Sequence, residues 1–188
     1  MMHGRKPHRS KPVLVVVGGL PATGKSTAAR TVSRELDASY LRIDTIEQSL
    51  SRFSAYGADT AALRHAVSWG LGYEVAYAMA EDLLAQGLCV FAECVNPMKV
   101  TRDAWAAVAK RTEADLFEVE LVCSDPVEHR GRATSRTVDI ADLELPTWQD
   151  IVDRDYEPWD RDHIVVDTAG KSVEETIAEL HDVLDINR

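Results

Sequence analysis

The sequence predicts an α/β protein in which helices pack on a five-stranded parallel sheet. Two observations lead to this class. Short apolar runs alternate with helical patterns along the chain, and a glycine-rich stretch joins the first apolar run to the first helix. Parallel neighbours in a sheet need crossover connections, and helices are the usual crossovers. The five strands are predicted at residues 13–17, 40–43, 88–93, 116–123 and 163–167.

The glycine-rich stretch carries the most specific pattern in the chain. From Gly19 to Ser26 it reads Gly-Leu-Pro-Ala-Thr-Gly-Lys-Ser, which fits the phosphate-binding pattern G-x-x-x-x-G-K-S. Gly19 and Gly24 can adopt backbone angles closed to other residues, so that successive N–H groups can surround an anion. The helix predicted from Lys25 to Leu36 adds the positive end of its dipole. The alternative is a glycine turn that merely joins a strand to a helix.

The residue types in this loop suit the phosphates of ATP. Lys25 is expected to reach the β and γ phosphates, Ser26 to place its hydroxyl on Mg²⁺, and Thr27 to support the α-phosphate side. The predicted nucleotide-binding loop is completed by Gly19, Ala22, Thr23 and Gly24.

The length and charge of the chain limit its number of domains and the kinds of partner it can bind. The chain of 188 residues is long enough for one domain, predicted at 13–188, after a basic and disordered tail at 1–12. All 31 acidic residues lie in the domain, and the formal charge of the chain is −10. Because sequence-independent binding of nucleic acid depends on Lys and Arg, a nucleic-acid partner is not expected.

The sequence also predicts a cytoplasmic monomer or homodimer with no membrane contact. No stretch approaches the about 18 apolar residues of a membrane span, and residues 1–12 lack the apolar core of a signal peptide. Three cysteines, Cys89, Cys94 and Cys123, lie in apolar runs without metal-ligand spacing. We expect them to be reduced core thiols.

The second strand is followed by Asp44 and then by a helix that Thr45 and Gln48 would open as a capping box. Residues 51–60 are predicted to form a loop. A long helical pattern covers 61–86, where Gly70 and Gly72 indicate a break or a close packing contact.

Helix starts mark the remaining segments. Asn96 and Pro97 offer a cap after the third strand, although the helix could begin nearer Thr101. The other predicted starts are Asp125 with Pro126 and Glu128, Thr147 after Pro146, and Ser172 with Glu175. Sites in parallel sheets lie beyond the carboxyl ends of the strands, where the sequence places Asp44, Glu93, Ser124 and Thr168.

With these residues, the chain resembles the small P-loop kinases and AAA-domain ATP-binding proteins over residues 13–184. The group contains gluconate kinase, chloramphenicol phosphotransferase, adenylylsulfate kinase and the kinase domain of polynucleotide kinase. The resemblance implies a three-layer P-loop NTPase fold with strand order 2-3-1-4-5. It also implies an acid after the third strand, where Glu93 stands in place of the more usual Asp, and a nucleotide-side loop at 167–170 that contains Thr168.

Two carboxylates are candidates for chemistry. Asp44 would accept the proton of the acceptor hydroxyl, because phosphoryl transfer needs a carboxylate opposite the γ-phosphate. The alternative is a helix cap, a role that Thr45 and Gln48 already fill. Glu93 would lie on the Mg²⁺ side of the site, and its alternative is a solvated strand end.

Three arginines follow the fourth strand. Arg130, Arg132 and Arg136 fall within a segment at about 128–138, where related kinases carry a lid that closes over the phosphates. Arg130 is also a candidate for nucleotide contact. The alternative for all three is a solvated helix face, on which Arg132 and Arg136 would lie together. Arg42 and Arg64 are expected to pair with acids at the surface.

The predicted function is an ATP- and Mg²⁺-dependent kinase that phosphorylates a hydroxyl group of a metabolite, nucleoside or antibiotic. One alternative is a 5′-hydroxyl polynucleotide kinase, which the acidic composition disfavours. Another is a nucleotide-dependent switch or ATPase without a small acceptor. Contacts to the acceptor would come from loops such as 51–60 and 96–102, which carry no recognisable pattern.

Overall fold

The predicted parallel sheet is confirmed. The computed structural model describes residues 11–53, 61, 65–67 and 70–184. Its five strands are β1 (Val13–Gly18), β2 (Ser39–Arg42), β3 (Val90–Glu93), β4 (Asp115–Val122) and β5 (Ile164–Asp167). They pair in the order β2-β3-β1-β4-β5, and every pair is parallel. The order implied by the family resemblance is therefore correct.

Helices on both sides of the sheet complete three layers. They are α1 (Lys25–Glu35), α2 (Ile43–Phe53), α3 (Leu71–Ala85), α4 (Lys99–Arg111), α5 (Pro126–Ser135), α6 (Trp148–Val152) and α7 (Val173–Leu184). Within the described ranges, none of these helices is long and apolar enough to cross a bilayer.

The central strand β1 supplies side chains to two cores. Leu14 and Val16 join the core under α2, α3 and α4, whereas Val13, Val15 and Val17 join the core under α1 and α7. All of these side chains are buried, as expected of a strand covered on both faces. The result is a rigid sheet whose carboxyl edge, next to Gly18, can carry a site.

Three predicted helix starts are confirmed by their hydrogen bonds. The Asp125 carboxylate accepts from the N–H groups of the second and third residues after it. Thr147 forms a capping box with Asp150, and Ser172 forms another with Glu175. These caps fix where the chain leaves the sheet edge on the side of β4 and β5.

Two predicted starts are wrong. Helix α2 begins at Ile43, directly after β2, so that Thr45 lies inside the first turn and cannot cap it. Helix α4 begins at Lys99 with Met98 at its cap, whereas Asn96 adopts a left-handed backbone with φ of 55° outside the helix. At α2 the chain passes directly from the strand into the helix, which the local pattern of capping residues does not record.

The long helical pattern of residues 61–86 is broken at Gly70, as its glycine indicated. Gly70 has φ of 97°, and α3 begins immediately after it. Residues 65–67 are helical, and the Gly70 N–H donates to the Val67 carbonyl. Of the predicted loop at 51–60, residues 51–53 end α2 and the remainder lies outside the described residues, as do residues 1–10 of the predicted tail and Arg64.

Gly70 and Gly131 give a matched test of this break. A Cβ atom would meet nothing within 4 Å at either position, but Gly70 has a left-handed backbone and Gly131 lies inside α5. Gly70→Ala should lower the free energy of unfolding by about 1–2 kcal/mol. Gly131→Ala should raise it by about 0.5–1 kcal/mol, because alanine stabilises helix interiors. Urea denaturation measures both, and an equal change at the two positions would contradict the assigned backbone at Gly70.

Candidate active site

The loop between β1 and α1 has the backbone expected of a phosphate cradle. Gly19, Ala22 and Gly24 all have positive φ, at 130°, 68° and 89°. A Cβ atom on Gly19 would lie 2.1 Å from the Leu121 carbonyl oxygen, so only glycine fits between the loop and β4. Alternation of left- and right-handed residues turns successive N–H groups toward one point, which favours an anion.

Lys25, the first residue of α1, turns back over this loop. Its ammonium donates to the Leu20 carbonyl at 2.6 Å, and the Thr23 hydroxyl donates to the same oxygen at 3.0 Å. Burial lowers the pKa of Lys25, and the nearby carboxylates of Glu93 and Asp44 act in the opposite direction. The ammonium is therefore held at the loop by the Leu20 carbonyl, with the carboxylates of Glu93 and Asp44 nearby.

Glu93 ends β3 and faces the start of α1. The Ser26 hydroxyl donates to one of its carboxylate oxygens at 2.5 Å, and the Tyr40 hydroxyl donates to the other. Arg42 Nε lies 3.7 Å from the second oxygen, and the Glu93 side chain is only 4% exposed. Burial and the Glu93 carboxylate raise the pKa of Tyr40, so that its phenol keeps the proton it donates.

The Ser26 and Glu93 pair fits the Mg²⁺ that the family resemblance implies. Hydroxyl and carboxylate oxygens are the ligand types that Mg²⁺ prefers, and it usually takes only one or two protein ligands beside phosphate and water. The described residues contain no group of three or more His, Cys, Asp or Glu side chains arranged as a metal site. The three described cysteines are free, and of these only Cys94 is fully buried.

Asp44 lies in the first turn of α2 and not directly after a strand, because β2 ends at Arg42 and the helix begins at Ile43. Its carboxylate is 3.7 Å from Arg42 Nη2, and the side chain is 43% exposed. A carboxylate in the first turn is favoured by the helix dipole. Thr45 lies inside α2 and so does not form the capping box that was expected to leave Asp44 free, but Asp44 does line the cleft.

The three arginines have different positions. Arg132 donates to the Thr168 hydroxyl and to the Thr168 carbonyl, both at 2.8 Å, and to Glu128 at 2.5 Å. Arg136 lies past the end of α5, so it does not share a helix face with Arg132 as predicted. Its Nε is buried and has no hydrogen-bond partner among the described residues. Arg130 lines a separate shallow depression beside Trp148.

One cleft of about 1680 Å³ joins these groups along the carboxyl edge of the sheet. The predicted site residues that line it are Ala22, Gly24, Lys25, Ser26, Thr27, Asp44, Glu93, Arg132, Arg136 and Thr168. Gly19 and Thr23 are buried members of the loop and do not line the cleft. The Thr168 hydroxyl donates to the Thr23 carbonyl at 3.2 Å and so links the loop to the end of β5. Ser124 is turned away and binds the Asp167 carboxylate through its backbone N–H at 3.0 Å.

Comparison with family models identifies the group to which this chain is related. Residues 14–157 match the model of a family described as an AAA domain. The chain belongs to this family. The family resemblance predicted from the glycine-rich loop is thereby confirmed.

Solved structures show that this AAA domain has the P-loop NTPase fold. A sugar kinase from Janibacter sp. superimposes with a TM-score of 0.65 at 17% identity, over 94% of this chain and 96% of the other. The Mycobacterium tuberculosis APS kinase, in complex with AMPPNP and APS, gives 0.59 at 19% identity, over 94% and 99%. Chaetomium thermophilum Kti12, in complex with ADP-AlF3, gives 0.62 at 20% identity, over 90% and 97%. None of the curated proteins matches the sequence.

Sequence reasoning missed an ion-pair network at the cleft of this AAA domain. Asp139 binds Arg30 at 2.5 Å and Arg42 at 2.8 Å, and so ties the segment after α5 to both α1 and the end of β2. Arg42 was expected to pair with acids at the surface, and it does pair with acids, but its side chain is only 10% exposed. The contact joins residues 97 positions apart, and no local pattern records it.

Glu47 was also missed. It lies on α2 and lines the cleft, and burial, with the Asp44 charge as the second cause, raises its pKa from 4.5 to about 7. The folded state therefore binds this proton more tightly than the unfolded state does. The resulting stability is fully present below about pH 4.5 and is lost as the pH rises toward 7.

Glu47→Gln should remove this loss of stability. Between pH 4.5 and 8, the free energy of unfolding of the variant should rise relative to wild type by about 2–3 kcal/mol, since each pKa unit corresponds to about 1.4 kcal/mol. Urea denaturation at several pH values measures the difference. Glu74→Gln, at an exposed position of α3, is the control and should show no such trend; a constant gap between Glu47→Gln and wild type would contradict the raised pKa.

Proposed function

We propose that this protein is an ATP- and Mg²⁺-dependent kinase that transfers the γ-phosphoryl group to a hydroxyl of a small molecule. One observation carries the proposal: Lys25 of the phosphate loop, Asp44 of α2 and Arg136 after α5 line the same cleft. A phosphate-binding cation, a carboxylate base and a second cation thus share one cleft.

Each group has a role in the proposed transfer. The acceptor oxygen attacks the γ-phosphorus as the bond to the bridging oxygen of ADP breaks, and Asp44 takes the hydroxyl proton. Lys25 and Arg136 face the oxygens on which negative charge is spread in the transition state. Ser26 and Glu93 would hold Mg²⁺, which neutralises charge on the β and γ phosphates when it is bound.

Arg132 is assigned to the nucleotide rather than to the transferred group. Its guanidinium is fixed by both polar groups of Thr168 and by Glu128, which in turn accepts from the Gly170 N–H at 2.8 Å. We assign the lid, predicted at residues 128–138, mainly to the residues that follow α5. Arg136 belongs to that part, and Asp139 fastens it to the opposite wall of the cleft.

The proposal is tested by ATP consumption across a panel of hydroxyl compounds, with Lys25→Ala as the control. Mg²⁺ with a non-hydrolysable ATP analogue, at about 100 times its dissociation constant, should stabilise wild type by about 2.7 kcal/mol and raise its melting temperature by about 5–10 °C. Lys25→Ala should show little of this shift and no ATP consumption. Equal shifts in both proteins would remove the phosphate-loop assignment.

The same assay separates the alternatives. ATP hydrolysis at full rate without any acceptor would favour a nucleotide-dependent switch or ATPase, the possibility left open by the fold shared with Kti12. Salt-sensitive phosphorylation of an oligonucleotide would favour a polynucleotide kinase instead.

Asp44→Asn should slow transfer by 10²–10⁴-fold, the usual contribution of a general base, and leave affinity for the ATP analogue nearly unchanged. Loss of a favourable charge in the first turn of α2 should cost about 0.3–1 kcal/mol of stability. Single-turnover transfer and thermal melting on one preparation measure both effects. A variant that melts early but transfers phosphate at the wild-type rate would make Asp44 structural.

The three arginines should respond differently to alanine substitution. Arg136→Ala should slow transfer by 10-fold or more, because a cation facing the transferred group is lost. Arg132→Ala should weaken nucleotide binding, since its contacts to Thr168 order the nucleotide-side loop. Arg130→Ala is the matched control and should behave as wild type. Loss of transfer in Arg130→Ala alone would reverse this assignment.

A further inference from the structure

The phosphate loop contacts a buried histidine of α5 to which the proposed transfer assigns no role. His129 is 6% exposed, and its Nε2 lies 2.8 Å from the Pro21 carbonyl oxygen. Because a carbonyl oxygen only accepts hydrogen bonds, Nε2 carries the proton and donates it. The bond joins residues 108 positions apart and fastens α5 to the loop between β1 and α1.

The His129 ring is fixed by its surroundings. Its backbone N–H donates to the Asp125 carbonyl at 2.9 Å, within the first turn of α5. The ring also packs edge-to-face against Trp148 of α6, with 5.1 Å between the ring centroids and 86° between the planes. Aromatic rings prefer this arrangement. Since a ring packed in a protein interior keeps one rotamer, Nε2 stays aimed at Pro21.

The Pro21 carbonyl and the Ala22 N–H belong to one peptide group. The described peptide bonds are all trans, and in a planar trans group the C=O and the N–H point in opposite directions. The bond from His129 therefore turns the Ala22 N–H away from α5. Rotation of this group by half a turn would replace a donor by an acceptor in the loop, which an anion would not tolerate.

Ala22 is the residue of the loop that most needs such a restraint. Its φ of 68° is left-handed, a conformation that residues other than glycine rarely adopt. The other two residues of the loop with positive φ are glycines, which pay no steric cost. A strained backbone persists only where its surroundings hold it. His129 holds the carbonyl before Ala22, and the Thr168 hydroxyl contacts the Thr23 carbonyl after it.

We propose that His129 is a positioning residue for the nucleotide phosphates. Its bond to the Pro21 carbonyl keeps the Ala22 N–H directed at the bound phosphate chain. The inference rests on the nucleotide-binding part of the proposed function and does not depend on the acceptor. His129 acts only through the loop: Pro21 and Ala22 line the cleft, and His129 is not among the described residues that do.

The position of His129 also links the phosphate loop to the nucleotide-side loop. Arg132 follows His129 by three positions, so the two lie on one face of α5. Arg132 binds Thr168, whose hydroxyl contacts the phosphate loop as well. A shift of α5 would therefore disturb the loop on both sides of Ala22.

The alternative is that His129 only fills space between α5 and the loop. Two substitutions separate these roles. His129→Leu keeps a branched side chain that fills the space but has no donor. His129→Gln keeps an amide N–H at about the distance from the backbone that Nε2 has, so it can still donate to the Pro21 carbonyl.

Calorimetric titration of Mg²⁺ with a non-hydrolysable ATP analogue, below the melting temperature of each protein, measures the effect. His129→Leu should weaken binding by about tenfold, which corresponds to about 1.4 kcal/mol and is close to the contribution of one hydrogen bond. His129→Gln should bind within about threefold of wild type. If His129→Leu does not fold, His129→Asn takes its place, since the shorter amide does not reach Pro21, and the same tenfold loss is expected.

His163→Leu is the matched control. Its side chain is 14% exposed and its Nε2 lies 3.1 Å from a Glu120 oxygen, but His163 is not among the described residues that line the cleft. The same exchange there removes a buried histidine contact away from the phosphate loop. The control should bind the ATP analogue as wild type does, even if it melts at a lower temperature.

The outcomes separate the two proposals. Wild-type affinity in His129→Leu, or a loss that His129→Gln does not reverse, would overturn the positioning role and leave the phosphate-loop assignment intact. An equal loss in His163→Leu would attribute the effect to stability and would also overturn it. If wild type itself does not bind the ATP analogue, the proposed nucleotide site fails, and the role of His129 fails with it.

Discussion

The geometry of the site depends on the hydrogen bonds that one buried carboxylate accepts. Glu93 ends the strand beside β1 and is almost fully enclosed, so its two oxygens need donors. Ser26 donates from the phosphate loop and Tyr40 donates from β2, with Arg42 nearby as a counter-charge. These contacts set the distance between the nucleotide loop and the strand that leads to Asp44. Loss of any one donor would leave a costly charge and would loosen both halves of the site.

Much of the fold could be read from the sequence because it depends on local patterns. The apolar runs locate all five strands to within two residues, and the Gly19–Ser26 pattern locates the loop. Caps formed by a side chain within three residues, as at Asp125 and Ser172, were also predictable. The α2 start was not, because β2 passes into α2 without an intervening cap residue.

The parts of the site that could not be predicted are contacts between distant segments. The Asp139 bridge to Arg30 and Arg42 joins three elements, and the packing of Glu47 against Gly72 joins α2 to α3. A glycine in a helical pattern indicates a close approach, but it does not say which residue approaches. In the same way, three arginines close in sequence give no indication that one of them faces away from the cleft.

The nucleotide site depends on β5 and α7, the last strand and helix that the structure describes. The family match ends at residue 157, before β5 and α7. Yet Thr168 follows β5 and binds both Arg132 and the Thr23 carbonyl, while Leu180 and Leu184 of α7 fill the core beneath α1. During synthesis, the nucleotide loop would therefore emerge long before the residues that brace it. The domain should acquire its nucleotide site only when β5 and α7 have folded onto the rest of the sheet.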